Sequence, residues 1–256
     1  MARKAKTPRI VALIPARSGS RRIKQKNIRR LNHHPVSAYT ISSAFSSGIF
    51  TDIVVSTDSQ QYADIAEYYG AEVPFLRPAE MATATSPDIE WIAFTLKKLH
   101  DSGRNYDCFA ILRPTSPLRR ATTIIRAWSQ FLAEEKVDSL RAVEPCKQHP
   151  GKMWIVNNDR MVPLLDQPLE GPPFHSQQYA TLPSIYIQNA SLEISWSRTV
   201  LEQNSISGDV IMPFLTTDNE GEDLNDEQDW AHIERLIKSA PKLLPEIDKY
   251  PFPKVI

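Results

Sequence analysis

Residues 10–27 read IVALIPARSGSRRIKQKN. The first five are apolar without interruption, which is typical of a parallel strand buried on both faces, and Pro15 ends the run. The residues that follow show no helical periodicity and combine small side chains with seven cationic or amide groups. This stretch therefore predicts a buried strand that leads directly into a loop rich in hydrogen-bond donors.

The rest of the chain alternates between strand-like and helical segments. Strands are predicted at residues 52–57, 108–112, 138–143, 184–196 and 209–215, and helices at 35–48, 60–69, 86–99, 124–132 and from 230 onward. Ser59 and Ser86 stand where helix-capping side chains are favoured. The alternation predicts an α/β fold whose doubly wound, mainly parallel sheet lies between two helical layers.

Ligands of such sheets bind beyond the carboxyl ends of the strands. The loops that follow three of the predicted strands are 16–27, 57–59 and 113–119. We therefore expect these three loops to line one site.

The composition changes between residues 145 and 183, where seven prolines occur and helical periodicity is lost. Such a stretch is typical of an extended excursion, and residues 157–160 favour a hairpin turn within it. At 256 residues the chain fits one large domain with an appendage. We expect a single domain over residues 1–256, with the appendage over residues 150–190.

The overall composition excludes several classes of protein. Hydrophobic residues make up 41% of the chain and charged residues 23%, unlike the values of disordered, collagenous or membrane proteins. The apolar run at residues 10–14 is too short to span a bilayer, so we expect a cytoplasmic protein without membrane partners. Cys108 and Cys146 lack zinc-binding spacing and are expected to be core thiols.

The charges are balanced overall but unevenly distributed along the chain. Residues 1–51 contain eleven Lys or Arg and no acid, whereas residues 218–229 contain seven acids. The cations of loop 16–27 interleave with Gly and Ser rather than with aromatic residues that would stack on bases. A small polyphosphate is therefore favoured over nucleic acid as the partner of this segment.

Loop 16–27 has the chemistry of a phosphate-binding segment. Gly19 and its serine neighbours would let the main chain approach phosphate oxygens, while Arg17, Arg21 and Lys26 would supply charge. The loop matches neither the GxxxxGK[ST] nor the GxGxxG pattern. It thus indicates a polyanion site of another kind, with a solvated basic loop as the alternative.

Five motifs follow one another along the chain. They are Ile14–Ser20 with Lys26-Asn27, Val54–Asp58, Leu76–Glu80, Leu112–Arg119 and Asp223–Trp230. Together they resemble the motifs of the acylneuraminate cytidylyltransferases, the family of CMP-N-acetylneuraminate synthetases. The resemblance covers about residues 9–236 and implies a Rossmann-like nucleotidyltransferase fold.

The resemblance also implies a reaction and an assembly. The anomeric hydroxyl of a sialic-acid-like 2-keto-3-deoxy sugar acid would attack the α-phosphorus of CTP, and pyrophosphate would leave. The family pairs its subunits through the appended segment, which implies a homodimer. No general base is evident in the sequence.

The same resemblance assigns residues to the nucleotide and its metal. The residues that would bind CTP are Arg17, Ser20, Arg21, Lys26, Asn27, Arg77, Thr115 and Ser116. Arg17, Lys26 and Asp223 would act in catalysis, and Asp223 with Asn225 would hold the implied cofactor, Mg²⁺. On the residues alone, Arg77 could instead pair with Glu80 at the surface, and Asp223 could be a solvated acid.

Two of these positions depart from the family pattern. Arg22 stands where the family commonly has Gly, so the path of the loop could differ. Asn225 stands where the family has a second Asp, which predicts weaker Mg²⁺ binding unless Asp226 or Glu227 compensates.

The residues on the side of the acceptor sugar acid depart further from the family pattern. The residues expected to bind the sugar acid are Arg113, Lys152, Gln178 and Asn189. Arg113 replaces a family Gln and would either contact substrate or face solvent. Glu193 replaces a family Tyr, and because it would repel a sugar carboxylate, we expect another substituent pattern or a side chain that points away.

Three alternatives stay open at this point. The acceptor could be a 3-deoxy-octulosonic acid, which would make the chain a CMP-3-deoxy-octulosonate synthetase. The departures at Arg22, Asn225 and Glu193 would also suit a catalytically silent nucleotide-binding homologue. A nucleic-acid-binding module would fit the basic amino-terminal segment, but it predicts steep salt dependence and indifference to CTP.

Overall fold

The alternation of strands and helices is present in the computed structural model, which describes residues 7–253. The strands are β1 (Ile10–Pro15), β2 (Arg30–Leu31), β3 (His34–Pro35), β4 (Asp52–Ser56), β5 (Cys108–Ile111), β6 (Ser139–Pro145), β7 (Trp154–Asn157), β8 (Arg160–Pro163), β9 (Tyr186–Trp196) and β10 (Ile211–Leu215). The α-helices are α1 (Val36–Ser47), α2 (Gln60–Tyr68), α3 (Asp88–Asp101), α4 (Ala121–Leu132), α5 (Ser197–Leu201) and α6 (Glu227–Ser239). The first six residues of the basic amino-terminal segment lie outside the described residues.

Six strands form the central sheet, in the order β10-β6-β9-β5-β1-β4. Strand β1 pairs in parallel with both β4 and β5, as its uninterrupted apolar sequence predicts. Strand β9 runs antiparallel to β5. The sheet is therefore mixed but mostly parallel.

Helices cover both faces of this sheet. Ile10, Ala12 and Ile14 belong to one buried cluster, which contains side chains of α1, α2 and α4. Val11 and Leu13 point to the opposite face and belong to a cluster with α3. Successive side chains of a strand alternate between faces, so β1 anchors two helical layers, and the predicted three-layer α/β fold is confirmed.

Helix ends agree only partly with the sequence. Gly48 ends α1 in the left-handed conformation, with φ at 65°, as the glycine predicts. The prediction that Ser86 caps α3 is wrong, because the helix begins one residue later than expected, with Pro87 at its cap position. The Ser86 hydroxyl instead donates to the carbonyl of Glu80 at 2.8 Å and closes the preceding loop. Ser59 occupies the cap position of α2 without a capping hydrogen bond from its side chain.

The chain forms two compact units. The larger comprises the described residues up to Ala142 and those from Asn189 onward, and the smaller is Val143–Gln188. Within the smaller unit, β7 and β8 form the predicted antiparallel hairpin, with Asn158 at positive φ in the turn. Apolar side chains of this hairpin are exposed, among them Val156 at 67% and Met161 at 57%.

The two cysteines differ from each other. Cys108 is buried in β5 as expected, and burial raises the pKa of its thiol. Cys146 is only partly buried, and its thiol lies 3.0 Å from the carbonyl of Gln148, so it is not a core residue. No helix within residues 7–253 is long and apolar enough to cross a membrane.

Candidate functional site

A cavity of about 480 Å³ lies at the carboxyl ends of β1 and β5. Its size is within the usual range for small-molecule sites. Predicted nucleotide and acceptor residues that line it are Arg17, Ser20, Arg21, Lys26, Asn27, Arg77, Arg113 and Thr115. The lining also includes Met81, Thr83, Ala84, Ser86 and Asp88, none of which was predicted to line the site.

Loop 16–27 is held in place by the sheet and by a buried anchor. The amide of Ala16 donates to the carbonyl of Ser56 at 2.9 Å, which continues the β1–β4 pairing. Ile23 is buried together with Leu224 and Trp230. The Asn27 amide donates to the Arg17 carbonyl at 3.1 Å and joins the two ends of the loop.

Asp58 fixes the middle of the same loop. Its carboxylate accepts hydrogen bonds from the Ser18 backbone amide at 2.8 Å and from the Ser18 hydroxyl at 2.7 Å. Residues 57–59 were expected to line the site, but they lie beside the cavity and support the lining loop instead. Asp58 directly follows a buried strand, and this position was the sequence feature that could have indicated its contact with loop 16–27.

The loop presents an open surface at Gly19. A Cβ atom built at this residue would meet no protein atom within 4 Å. Gly19 is therefore not required for packing within the loop. The open space agrees with the expectation that the main chain here can approach a phosphate group.

Lys26 carries the most enclosed charge of the loop. Its ammonium group donates to the carbonyl of Leu224 at 2.7 Å. Burial lowers the pKa of Lys26, and the negative charge of Asp223 partly opposes this effect. The lysine is thus a partly desolvated cation that faces the cavity, where an anion would interact with it strongly.

Arg77 lines the same cavity from the segment that follows β4 and α2. It is only 5% exposed, and its guanidinium donates to the Ser56 hydroxyl at 3.0 Å and to the Ser56 carbonyl at 2.8 Å. The group also lies 4.7 Å from the ring centre of Trp91. Burial lowers the pKa of Arg77 to about 10. The alternative that Arg77 is a surface cation paired with Glu80 is wrong.

The remaining cations of the loop are more accessible. Arg17 donates to the carbonyl of Thr83 and so connects loop 16–27 with residues 79–86. Arg21 and Arg22 are exposed at the rim. Within the described residues, Arg17, Arg21 and Arg22 form no ion pair with a carboxylate.

In the turn after β5, one predicted site residue lines the cavity and its neighbour is buried. Thr115 lines the cavity, and its carbonyl accepts from the Leu224 amide at 2.8 Å. Ser116 is buried below the surface of the cavity, and its hydroxyl has no partner among the described residues. Arg119 is also buried and donates to Thr40 at 2.9 Å. Burial lowers the pKa of Arg119 to about 9.

Arg113 is held by two carboxylates. Its Nη2 donates to Asp88 at 2.6 Å and to Glu193 at 3.1 Å. Glu193 is buried and also pairs with Arg141 at 2.8 Å. Burial alone would lower the pKa of Arg113, but the charges of Asp88 and Glu193 outweigh this effect and raise it. Arg113 therefore does not simply face solvent, and Glu193 is not an uncompensated charge.

Asp223 and Asn225 lie next to each other in the acidic segment. The Asn225 amide nitrogen donates to Asp223 Oδ2 at 2.8 Å, and its oxygen accepts from Arg22 at 3.2 Å. The other oxygen of Asp223 is buried without a hydrogen-bond partner among the described residues. Asp223 is therefore not the fully solvated acid of the alternative interpretation, and its unpartnered oxygen could accept a cation.

Asp226 and Glu227, the two acids that could compensate for Asn225, already form contacts within the protein. Asp226 caps α6 by accepting from the amides of Gln228 and Asp229. Glu227 pairs with Arg29 at 2.6 Å. Among the described residues there is no cluster of three or more His, Cys, Asp or Glu side chains placed to hold a metal.

The remaining predicted acceptor residues make contacts within their own units. In the smaller unit, the Lys152 ammonium donates to the carbonyls of His175 and Gln177, at 3.1 and 2.7 Å, and Gln178 is exposed. In the larger unit, the Asn189 amide donates to Thr216 at 2.8 Å. None of Lys152, Gln178 and Asn189 is among the described residues that line the cavity.

Comparison with known proteins gives consistent results. A family model described as cytidylyltransferase matches residues 11–146. A CMP-N,N'-diacetyllegionaminic acid synthase of Legionella pneumophila is 36% identical over 235 residues, covering 90% of this chain and 97% of that protein. An N-acylneuraminate cytidylyltransferase of Escherichia coli is 43% identical over 135 residues, covering 53% of this chain and 31% of that one.

A solved structure supports the same fold. The structure is that of a CMP:2-keto-3-deoxy-manno-octonic acid synthetase complexed with CTP, and the match has a TM-score of 0.67 at 12% identity. It covers 90% of this chain and 99% of that one. The likeness confirms the Rossmann-like nucleotidyltransferase fold expected from the sequence.

Proposed function

The chain belongs to the cytidylyltransferase family, and we propose that it transfers the CMP group of CTP to a sialic-acid-like 2-keto-3-deoxy sugar acid. The observation that carries this proposal is the cavity at the carboxyl ends of β1 and β5, where Arg17, Arg21 and Lys26 converge from one loop. Cations that form no ion pair within the described residues, placed around an open space, suit a triphosphate.

The reaction would form a bond between the anomeric oxygen and the α-phosphorus and break the bond from that phosphorus to pyrophosphate. Negative charge increases on pyrophosphate as it leaves. Lys26, Arg17 and Arg21 would accelerate the reaction to the extent that they stabilise this developing charge more than the charge of bound CTP. Arg77, fixed by Ser56, would orient the nucleotide.

We assign no protein side chain as the general base. Asp88 is the one carboxylate among the described lining residues. Its two oxygens accept from Trp91 at 2.7 Å and from Arg113 at 2.6 Å. Burial alone would raise the pKa of Asp88, but Arg113 lowers it below the ordinary value. Such a carboxylate is a weak base, so the proton of the attacking hydroxyl would pass to water.

We further propose that Mg²⁺ enters with CTP and contacts Asp223. Mg²⁺ typically uses one or two protein carboxylates together with substrate phosphates, and the unpartnered Asp223 oxygen suits this arrangement. When bound, the ion would offset charge on the phosphates. Asn225 would contribute less, because its oxygen accepts a hydrogen bond from Arg22.

The metal proposal is tested with Asp223→Ala. We expect the Mg²⁺ concentration that gives half-maximal turnover to rise about tenfold, and Mg²⁺ binding to the CTP-bound protein to weaken to the same degree. Glu222→Ala, which removes a neighbouring acid paired with His232, is the matched control. Unchanged Mg²⁺ dependence in Asp223→Ala would refute the assignment.

We propose that a second copy of the chain packs on the exposed apolar side chains of β7 and β8. A two-stranded hairpin is marginally stable by itself, and contiguous exposed apolar surface is typical of an interface. Sedimentation at micromolar concentration should show a dimer, and Val156→Asp with Met161→Asp should give monomers. Leu201→Asp, at an exposed apolar position in the larger unit, should not.

The acceptor is proposed from the relatives. The Legionella and Escherichia relatives are named for diacetyllegionaminic acid and N-acylneuraminic acid. The octonic acid synthetase, at 12% identity, shares only the fold with this chain. Glu193 does not argue against an acidic acceptor, because two arginines neutralise it. A cytoplasmic location stays a prediction that fits these substrates.

The proposal is tested by incubating the protein with CTP, Mg²⁺ and separate sugar acids, with products identified by mass. We expect a CMP-linked nonulosonic acid and stoichiometric pyrophosphate. Product only from the octulosonic acid would select the octulosonate alternative. CTP binding without pyrophosphate release across the panel would indicate a catalytically silent homologue.

A further inference from the structure

The wall of the cavity at Arg113 is built from four charged side chains that come from four separate parts of the fold. Asp88 begins α3, Arg113 follows β5, Arg141 lies in β6 and Glu193 lies in β9. Contacts join them in the order Asp88, Arg113, Glu193 and Arg141, at 2.6, 3.1 and 2.8 Å. Two positive and two negative charges make this group neutral overall.

The side chains of this group are not equally accessible. Arg113 and Asp88 line the cavity. Glu193 is 6% exposed and stands opposite Ile111 in the register of β5 and β9. A ligand in the cavity can therefore reach Arg113 and Asp88, whereas Glu193 contacts Arg113 from the interior of the protein.

Arg113 lines the cavity and has hydrogen-bond donors that no group of the described residues uses. Its Nη2 makes both hydrogen bonds described above, and its Nε and Nη1 donate none within residues 7–253. An arginine carries five N–H donors and no acceptor, so its ligand must offer an acceptor atom with a free lone pair, and oxygen atoms are the acceptors that a sugar acid supplies. The ligand group that fits is the carboxylate or a carbonyl oxygen of the acceptor.

We propose that Asp88 and Glu193 fix the guanidinium of Arg113 as the group that binds an oxygen of the acceptor sugar acid, with Arg141 holding Glu193 in place. This inference rests on the proposed function and names the determinants of acceptor recognition within it. Asp88, Glu193 and Arg141 are positioning residues, because they act through Arg113.

Charge explains why the positioning residues come as a set. A buried Glu193 without partners would be costly and would repel an acid. A lone Arg113 would have to lose its side-chain freedom when the acceptor binds. The pairing lowers both costs. The carboxylates order the guanidinium before the acceptor binds, and the arginines neutralise the carboxylates.

The experiment compares Glu193→Gln with Glu220→Gln. Glu220 is also buried, with Arg126 and Thr123 each at 2.6 Å, but it does not line the cavity. We expect Glu193→Gln to raise the KM for the sugar acid about tenfold and to leave the KM for CTP within about twofold. Glu220→Gln should leave both KM values unchanged, and Glu193→Asp should restore part of the loss.

A double variant tests whether Glu193 acts through Arg113. Arg113→Gln alone should raise the KM for the sugar acid at least as much as Glu193→Gln. Adding Glu193→Gln to Arg113→Gln should then have little further effect, because the positioned group is already absent. Calorimetric titration of the CTP-bound protein with the sugar acid should reproduce these changes as changes in affinity.

The outcomes separate this inference from the proposed function. Wild-type turnover with an unchanged acceptor KM in Glu193→Gln, or fully additive effects in the double variant, would overturn the inference alone. A wild-type protein that binds CTP but neither binds nor converts any sugar acid would overturn both. An equal rise of KM for CTP and sugar acid in Glu193→Gln would also overturn the inference, because it would indicate general damage to the site.

Discussion

The two ends of the cavity treat positive charge differently. At the proposed nucleotide end, defined by Lys26 and Arg17, both side chains donate to backbone carbonyls, and within the described residues neither forms an ion pair with a carboxylate. At the proposed acceptor end, defined by Arg113, the guanidinium is held between two carboxylates. This difference would match the net charge at each end to the charge of the ligand proposed for it.

A polyanion and a monoanion make different demands on a protein. Neighbouring cations repel each other: burial chiefly lowers the pKa of Lys26, the charge of Asp223 partly opposes this, and the charges of Arg22 and Arg17 lower the pKa further. A triphosphate relieves that repulsion when it binds, so uncompensated cations give it a large gain in free energy. A single carboxylate cannot offset as much, and a neutral, preordered group suits it better.

The strongest test of this contrast is Lys26→Ala. Because Lys26 is a partly desolvated cation without an ion pair, its loss should lower kcat/KM for CTP by about 10² to 10³. Lys24→Ala is the matched control, since Lys24 is exposed two residues away and does not line the cavity. Steady-state kinetics on both variants provide the measurement.

Lys26→Arg sharpens the same test. Arginine keeps the positive charge but has a planar head group, so a partial recovery would show that charge and geometry both contribute. If Lys26→Ala and Lys24→Ala lowered kcat/KM equally, the nucleotide end would depend on total charge and not on this particular group.

A smaller effect is expected from Asp58→Ala. This change removes both hydrogen bonds that hold Ser18 and leaves every lining cation in place. We expect the KM for CTP to rise about tenfold through a less ordered loop, with little change in the KM for the acceptor. Asp64→Ala, which removes an exposed acid that accepts from Gln60, should change neither value.

An increase of both KM values in Asp58→Ala would contradict the independence of the two ends. Asp58→Asn adds a finer comparison, because an amide oxygen can still accept from the Ser18 backbone. Its KM for CTP should fall between those of the wild type and Asp58→Ala.

The gathering of Arg17, Arg21 and Lys26 around one cavity could be predicted from the sequence because these cations are neighbours along the chain. Arg17, Arg21 and Lys26 lie within ten residues of one another in a loop that directly follows a buried strand. A strand, a turn and their composition are local features, and local features are what a single sequence expresses best. The role of Ser116 at the nucleotide stays a prediction, and the burial of its side chain is a packing feature that the sequence did not reveal.

The acceptor end could not be predicted in the same way. Arg113 meets partners that lie 25 and 80 residues away along the chain. Glu193 looked like an unexplained negative charge, because its pairing with Arg113 and Arg141 depends on the strand order of the folded sheet. In the sequence, Arg113 and Glu193 were two separate departures from the family pattern, whereas in the structure they contact each other.

The smallest predicted effect concerns the stability of the acceptor end. Arg113 holds the pKa of Asp88 below its ordinary value despite burial. A carboxyl group with a lowered pKa in the folded state stabilises the protein above its unfolded-state pKa, and this contribution is lost as the pH falls through the folded-state pKa. Asp88→Asn should therefore lower the free energy of unfolding at pH 7 by at most about 1 kcal/mol.

Urea unfolding of the wild type and of Asp88→Asn between pH 7 and pH 3 tests the direction of this pH dependence. The difference between wild type and Asp88→Asn should begin to shrink as the pH falls below about 4, the ordinary pKa of an aspartate, and should disappear only below the lowered folded-state pKa, where Asp88 is uncharged in both states. The asparagine oxygen can still accept from Trp91, but its amide nitrogen cannot accept from Arg113, so the change removes the whole pair with Arg113, charge and hydrogen bond together. A difference that stayed constant with pH would mean that packing, not the pair with Arg113, explains the contribution of Asp88. The two ends of the cavity would then differ less in their electrostatics than the contacts indicate.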